Sequence, residues 1–411
     1  MLSELYPLDH GRFTSLRLLG SHVEEFVVWL EAQGCPRLCI CRRLSAMPRL
    51  DARLRRRGVR RLEGLCVSEV LRFAPRHSRN DVHLSAVVRS LARYLDGRGL
   101  LARRALTPSE QVVAVYRTHL ERVRGLAKKT LKLHSATAAG LLAFLDFDKE
   151  PLRLRDLSSP DVEAFVRCAA ARLCRESLQH TVAYLRSFLR FLAIRNEVPH
   201  GLDASIDTPR LYRGERLPRA LAWETVQSFL GSIERSTHRG RRDFAMFLLI
   251  ATYGLRVSEV AALRLDDIEW RGGRIRVPRP KTMTPLDLPL TDEVGAALID
   301  YLHHVRPDLP CREVFVRLRA PAGPIGPTTI SEAFAAWVRR GALSTPCQGP
   351  HALRHSLAVH LLRQGTSLKA IGDLLGHRSA ESTCVYLRLQ VEDLRDVALP
   401  LPTQDSCGGR L

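Results

Sequence analysis

From Ser21 to Leu101, leucine, valine and phenylalanine recur at three-to-four spacing with arginines between them. This pattern predicts amphipathic helix after amphipathic helix and no strand. Thr107-Pro108-Ser-Glu110 has the form of a helix start, with Thr107 as N-cap, Pro108 in the first turn and Glu110 placed to bond back to the cap. A boundary therefore falls near residue 105, and a second helical block runs to about Arg195. The blocks partly repeat. Leu62, Leu65, Val70 and Phe73 match Leu154, Leu157, Val162 and Phe165, and Arg89-Ser90, Arg93, Leu95 and Arg98 match Arg186-Ser187, Arg190, Leu192 and Arg195. Leucine- and arginine-rich helices can match in this way by composition; a true repeat would make the blocks two copies of one small helical fold.

The periodicity breaks from Gly201 to Leu221, where Pro209, Gly214 and Pro218 lie among arginines, the composition of an exposed linker. Beyond it the pattern predicts a helix from about Trp223 to Ser236 and a mostly buried helix from Arg241 to Tyr253, ended by Gly254. Strands are predicted at Ile268-Glu-Trp270, at Arg274-Ile-Arg-Val277 after a Gly272-Gly273 turn, and at Leu286-Asp-Leu288. The expected fold is mainly α with a small antiparallel β-sheet. The expected domains are an additional N-terminal helical domain (1–104), a second helical domain (105–208), a linker (209–221), a C-terminal domain (222–396) and a tail (397–411).

Composition then narrows the partner. The chain has 411 residues, 45% hydrophobic, and a formal net charge of +20. It is long enough for two or three cores, and its charge suits a polyanion, since clustered cations gain by displacing counterions from nucleic acid. An acidic membrane surface is the rival, but the longest apolar run, Phe244 to Tyr253, is too short to span a bilayer. The amino terminus lacks a basic region followed by an apolar core, so a cytoplasmic, reducing location is expected. Ten cysteines are scattered; Cys35, Cys39 and Cys41 cluster without a second ligand pair, so neither a metal nor a cofactor is expected. Of 63 basic residues only Lys128, Lys129, Lys132, Lys149, Lys281 and Lys369 are lysine.

Candidate chemistry concentrates between His351 and Tyr386. His351 and Arg354 are three apart and share a helix face, with His355 beside them. Gly365 ends that helix, Thr366 and Ser367 offer caps for the next, and Gly376 terminates it, leaving His377 in a helix-to-helix turn. Ser379 is a cap candidate for a last helix carrying Tyr386 on its second turn. Upstream, Gly254-Leu-Arg256-Val-Ser-Glu259 sets an arginine between apolar helices, where it either pairs with Glu259 or faces an anionic ligand. Together these are groups for handling a phosphate beside a possible phenolic nucleophile.

Gly254-Leu-Arg256-x-x-Glu259, His351-x-Leu-Arg354-His355 and Leu375-Gly376-His377 followed by Tyr386 resemble the tyrosine recombinases, the phage-integrase family of site-specific DNA recombinases, in order and spacing. The resemblance covers about residues 105 to 395; the first block lies outside it. It implies a core-binding SAM-like domain (105–208) and a catalytic integrase domain (222–396), with Arg256 and Arg354 clamping the phosphate, His351 and His377 as the two histidines, and Tyr386 as nucleophile. It further implies a covalent DNA 3′-phosphotyrosine and a free 5′-hydroxyl, double-stranded DNA as partner, a tetramer on DNA, and a role in integration, excision or transposition of a mobile element.

A leaving 5′-oxygen needs a proton, which arginine gives up reluctantly. Residues 210–411 hold only two lysines, and Lys281 lies before Leu286-Asp-Leu-Pro-Leu290, where the family's catalytic lysine sits on a β-hairpin. The resemblance thus makes Lys281 the sixth catalytic residue. A type IB topoisomerase has a similar residue set, and a DNA-binding protein with decayed catalysis is the reading from another class.

Overall fold

A computed structural model describes residues 2–75, 82–211, 219–279, 285–341, 349–377, 379 and 381–389. Lys281 and the tail 397–411 lie outside the described residues. The chain divides into two compact units: Leu101–Glu215, and Met1–Leu100 together with Arg216–Leu411.

The larger unit begins with α1 (Leu2–Leu5), α2 (Gly11–Thr14), α3 (Val23–Ala32), α4 (Arg37–Arg56), α5 (Val67–Leu71) and α6 (Val82–Gly97). The apolar stripe of α4, Ile40, Leu44, Met47, Leu50 and Leu54, is buried, and α4 packs on α6, whose Val87, Val88, Leu91 and Leu95 are buried in turn. Asp51 on α4 is also buried. Its Oδ1 accepts the Leu18 and Leu19 N–H groups at 2.9 and 3.1 Å, and its Oδ2 lies 3.0 Å from Arg55 Nε, so the buried charge is fully answered. This block joins the rest of its unit through the Ala322 N–H, which donates to Gln33 O at 2.9 Å.

The smaller unit holds α7 (Pro108–Arg124), α8 (Lys128–Phe144), α9 (Ser159–Ala170) and α10 (Arg175–Ile194). The helix start at Thr107 forms as the sequence predicts. The Glu110 N–H donates to Thr107 Oγ1 at 3.3 Å, and the Thr107 N–H donates back to the Glu110 carboxylate at 3.0 Å. Leu131, Leu141, Val182, Leu185, Phe188 and their neighbours form its core. Leu202 and Ile206 join that core, so the stretch read as linker from Gly201 begins as packed turns.

The larger unit resumes with α11 (Trp223–Gly231), α12 (His238–Tyr253) and α13 (Val257–Ala262), then β1 (Ile268–Glu269), β2 (Arg274–Val277) and β3 (Leu286–Pro289). It ends with α14 (Asp292–His304), α15 (Pro327–Arg340), α16 (His351–Arg363), α17 (Leu368–Leu375), α18 (Glu381–Cys384) and a 3-10 turn, Val385–Leu389. The fold is mainly α with a small antiparallel sheet, as the periodicity predicts. Helix α11 stops five residues before the predicted Ser236, and α12 starts at His238 rather than Arg241 because Thr237 caps it, accepting the Gly240 N–H at 3.0 Å. The strands pair in the order β1-β2-β3 with Glu269 opposite Arg274. The first turn is therefore the four residues 270–273, not a two-residue Gly-Gly turn, and Trp270 belongs to it.

Helix α12 is the axis of this part, buried along nearly its whole length and packed by α14, α15 and α16. Its fully buried Asp243 accepts from Arg242 Nε and Nη2 at 3.0 and 2.7 Å, from Trp337 Nε1 at 2.9 Å and from Arg239 Nε at 3.2 Å. That network locks the helix whose far end carries the site. Among the described residues no helix is long and apolar enough to cross a membrane.

Candidate active site

Helix α12 ends at Gly254, where φ is +63° and a Cβ would collide with Leu375. The chain reverses there and sets Arg256 at the start of α13. The Arg256 backbone N–H donates to Glu259 Oε2 at 2.8 Å and its Nη1 to Oε1 at 2.7 Å, so the buried Glu259 fixes both ends of the residue. Arg354, only 2% exposed on α16, donates from Nη1 to Gly254 O and from Nη2 to Leu375 O at 2.6 Å. Arg279 follows β2. Its Nη2 donates to Leu374 O at 2.8 Å, and its Nε lies 3.8 Å from Glu259 Oε1. Arg256 Nη2 reaches Gly376 O at 3.4 Å.

Three consecutive carbonyls at the end of α17, those of Leu374, Leu375 and Gly376, thus each take a different guanidinium. The last carbonyls of a helix lack partners within it and lie at the negative end of its dipole, so arginines are the natural cap. The cap also sets three guanidiniums side by side with further N–H groups for an anion. Burial lowers the pKa of Arg354 to about 10, with the Arg256 charge adding to the effect. Burial lowers that of Arg279 as well, opposed by Glu259.

Tyr386 lies in the 3-10 turn after the single turn of α18, not on the second turn of an α-helix. It is 2% exposed, and its hydroxyl is 2.9 Å from His355 Nδ1. Its ring stacks on His377 at 6.2 Å with a 16° tilt between planes. His377 Nδ1 is 2.9 Å from Thr383 Oγ1. His351, exposed at the start of α16, sets its ring edge-on to His355 at 4.9 Å. Burial pushes the Tyr386 phenol up, while Arg354 and Arg256 pull it down. Burial holds His355 and His377 down to about 4; next in weight come His351 for His355 and Arg354 for His377. Both imidazoles are therefore neutral at pH 7, each with one nitrogen to accept and one to donate.

Of the residues chosen from sequence, Arg256, Arg354, His377 and Tyr386 converge here, and His351 joins through His355. Lys281 lies outside the described residues, between β2 and β3. Three participants escaped the sequence reading. Arg279 is not among the residues chosen from sequence, although the in-out alternation of Ile275 and Val277 carries it to the buried face. His355 was noted only as a neighbour, yet it is the ring that meets the phenol. Thr383 fixes His377 and carried no signal of its own.

Residues 219–393 match the phage integrase family. The integrase/recombinase y4rA of Sinorhizobium fredii strain NGR234 is 37% identical over 294 residues, 71% of this chain and 71% of the relative. The tyrosine recombinase XerC of Nitrobacter winogradskyi is 32% identical over 303 residues, 70% of this chain and 92% of the relative. Among solved structures, the lambda integrase (75-356) dimer bound to a COC′ core site matches at TM-score 0.52 and 18% identity, covering 67% of this chain and 94% of that one. XerH site-specific recombinase bound to palindromic difH substrate matches at TM-score 0.53 and 16% identity, covering 80% and 93%. Fold and relatives together define an enzyme class that cleaves and rejoins DNA strands. The chain belongs to the phage integrase family of tyrosine recombinases, the enzymes of site-specific recombination.

Proposed function

We propose that this chain moves a mobile element by cutting and rejoining duplex DNA at specific sites, through a covalent 3′-phosphotyrosine at Tyr386. The observation that carries the reading is the Tyr386 hydroxyl, 2.9 Å from the neutral His355 in a pocket charged by Arg256 and Arg354. The phenol oxygen attacks the scissile phosphorus in line while its proton passes to His355 Nδ1. Negative charge grows on the non-bridging oxygens, where Arg256 and Arg354 answer it with Arg279 beside them. His377, held at Nδ1 by Thr383, offers its Nε2–H to the same oxygens. The bond to the 5′-oxygen breaks, and that oxygen takes a proton from Lys281, the role its hairpin position implies by resemblance. Rejoining is the reverse: a 5′-hydroxyl attacks the phosphotyrosine and the phenol regains its proton. The ester energy stays in the linkage, so sealing needs no nucleotide.

The solved relatives include complexes with DNA, one of them a dimer. By that likeness the partner is duplex DNA, and the chain works as a homo-oligomer, a tetramer when two duplexes are joined. The test is covalent trapping from a randomised pool of nicked duplexes, in which the nicked fragment diffuses away after cleavage. The chain is expected to retain a small set of sequences through denaturing washes, whereas Tyr386→Phe binds the recovered duplex without retaining it. Attachment that persists in Tyr386→Phe overturns the assignment. Relaxation of plasmid lacking the recovered sequence would replace recombination by topoisomerase activity.

A further inference from the structure

Residues 37–61 hold ten arginines and one carboxylate, Asp51. That acid is spent internally on two backbone N–H groups and on Arg55 Nε. In holding the turn at residues 16–19 against α4, it helps form a cleft of about 520 Å³ lined by Arg17, Leu18, Arg55, Gly58, Val59 and Arg60. Arg17, Arg56, Arg57, Arg60 and Arg61 are exposed, and none has a carboxylate within ion-pair reach among the described residues. One or two cations would satisfy the dipole at the end of α4. The surplus only repels itself, unless a polyanion meets it.

We infer that this arginine cleft is a second duplex-binding site, which takes backbone phosphates of DNA away from the bond that is cut. Ile40, Leu44, Met47, Leu50 and Leu54 of α4 are buried, and its exposed leucine, Leu38, lies in the first turn, at the opposite end of the helix from the cleft. The cleft therefore has no apolar side chain of α4 to insert into a membrane and works by charge. Guanidinium forks match phosphate oxygens two at a time, and arginine is nearly the sole cation this chain uses. The block is also built like the smaller unit. Helix α4 packs on α6 and α5 on α6, as α8 packs on α10 and α9 on α10. The site works by phosphate contact and owes nothing to Tyr386.

The test is binding of the full chain to a fluorescent duplex of arbitrary sequence across a salt series, in a Tyr386→Phe background so that cleavage plays no part. Arg17→Ala with Arg60→Ala should lower the slope of log affinity against log salt by about 0.9 per lost phosphate contact and weaken binding about 10- to 30-fold. Arg17→Lys with Arg60→Lys should keep most of the slope, which separates charge from folding. An unchanged slope in the alanine variant, with the same melting temperature as its parent, overturns the inference. So does a variant that keeps its DNA affinity but loses binding to vesicles of anionic phospholipid.

Discussion

Gly376 offers a sharp test of the arginine cap. It sits at φ +63° with Arg279 laid across it, and a Cβ there would lie 2.5 Å from Arg279 Cζ, closer still to Nη1. Gly376→Ala incurs two costs. The left-handed backbone costs about 1 kcal/mol for an alanine. Driving Arg279 off Leu374 O forfeits a buried hydrogen bond from a charged group, about 1.5–3 kcal/mol. The single substitution should therefore destabilise by about 2.5–4 kcal/mol. In an Arg279→Ala background the guanidinium is gone, and only the backbone cost of about 1 kcal/mol should remain. The cycle thus predicts a coupling of about 2 kcal/mol between residues 97 positions apart in sequence. Urea unfolding of the wild type, both single variants and the double variant reads it directly. Additivity within about 0.5 kcal/mol would refute the claim that Arg279 holds the turn carrying His377.

Acid should weaken the fold through the two half-buried imidazoles, His355 and His377. Their folded pKa values of about 4 lie below the ordinary histidine value of 6.5, so between those limits the unfolded chain takes up protons that the folded chain refuses. Stability from this source is full above pH 6.5 and falls as pH drops toward 4, more through His355 than through the more exposed His377. Urea midpoints at pH 7.5 and pH 5 should differ less in His355→Gln than in wild type, and an equal fall in both would contradict the burial effect. Lys281→Arg should slow cleavage of the trapped duplex by about 100-fold with little change in binding. A duplex with sulfur at the 5′-bridging position, a leaving group that needs no proton, should restore the rate; failure to do so would remove Lys281 as the acid.

The sequence made the frame of the site legible where local chemistry sets geometry. Gly254 and Gly376 end their helices in left-handed turns, Ser367 caps α17 by accepting the Ala370 N–H, and these signals fix where Arg256, Arg354 and His377 stand. What stayed hidden depends on contacts across the fold. Nothing local announces that Arg279, Arg354 and Arg256 take carbonyls of three successive residues, since they come from a strand end, a helix interior and a helix start. His351 and His355 are one turn apart on the same helix, and only the position of Tyr386 decides which ring meets the phenol. The turn after β1 has four residues where the Gly-Gly pair predicts two, because pairing of Glu269 with Arg274 sets the register and no local signal carries it.

The most direct measurement is to map the attachment itself. The chain would be trapped on a duplex recovered from the randomised pool, digested with protease and nuclease, and the nucleotide-bearing peptide sequenced by mass spectrometry. A single modified residue is expected, Tyr386, carrying a nucleotide through its 3′-phosphate, with a free 5′-hydroxyl on the other strand end. Attachment to a different side chain, or linkage through a 5′-phosphate, would contradict it.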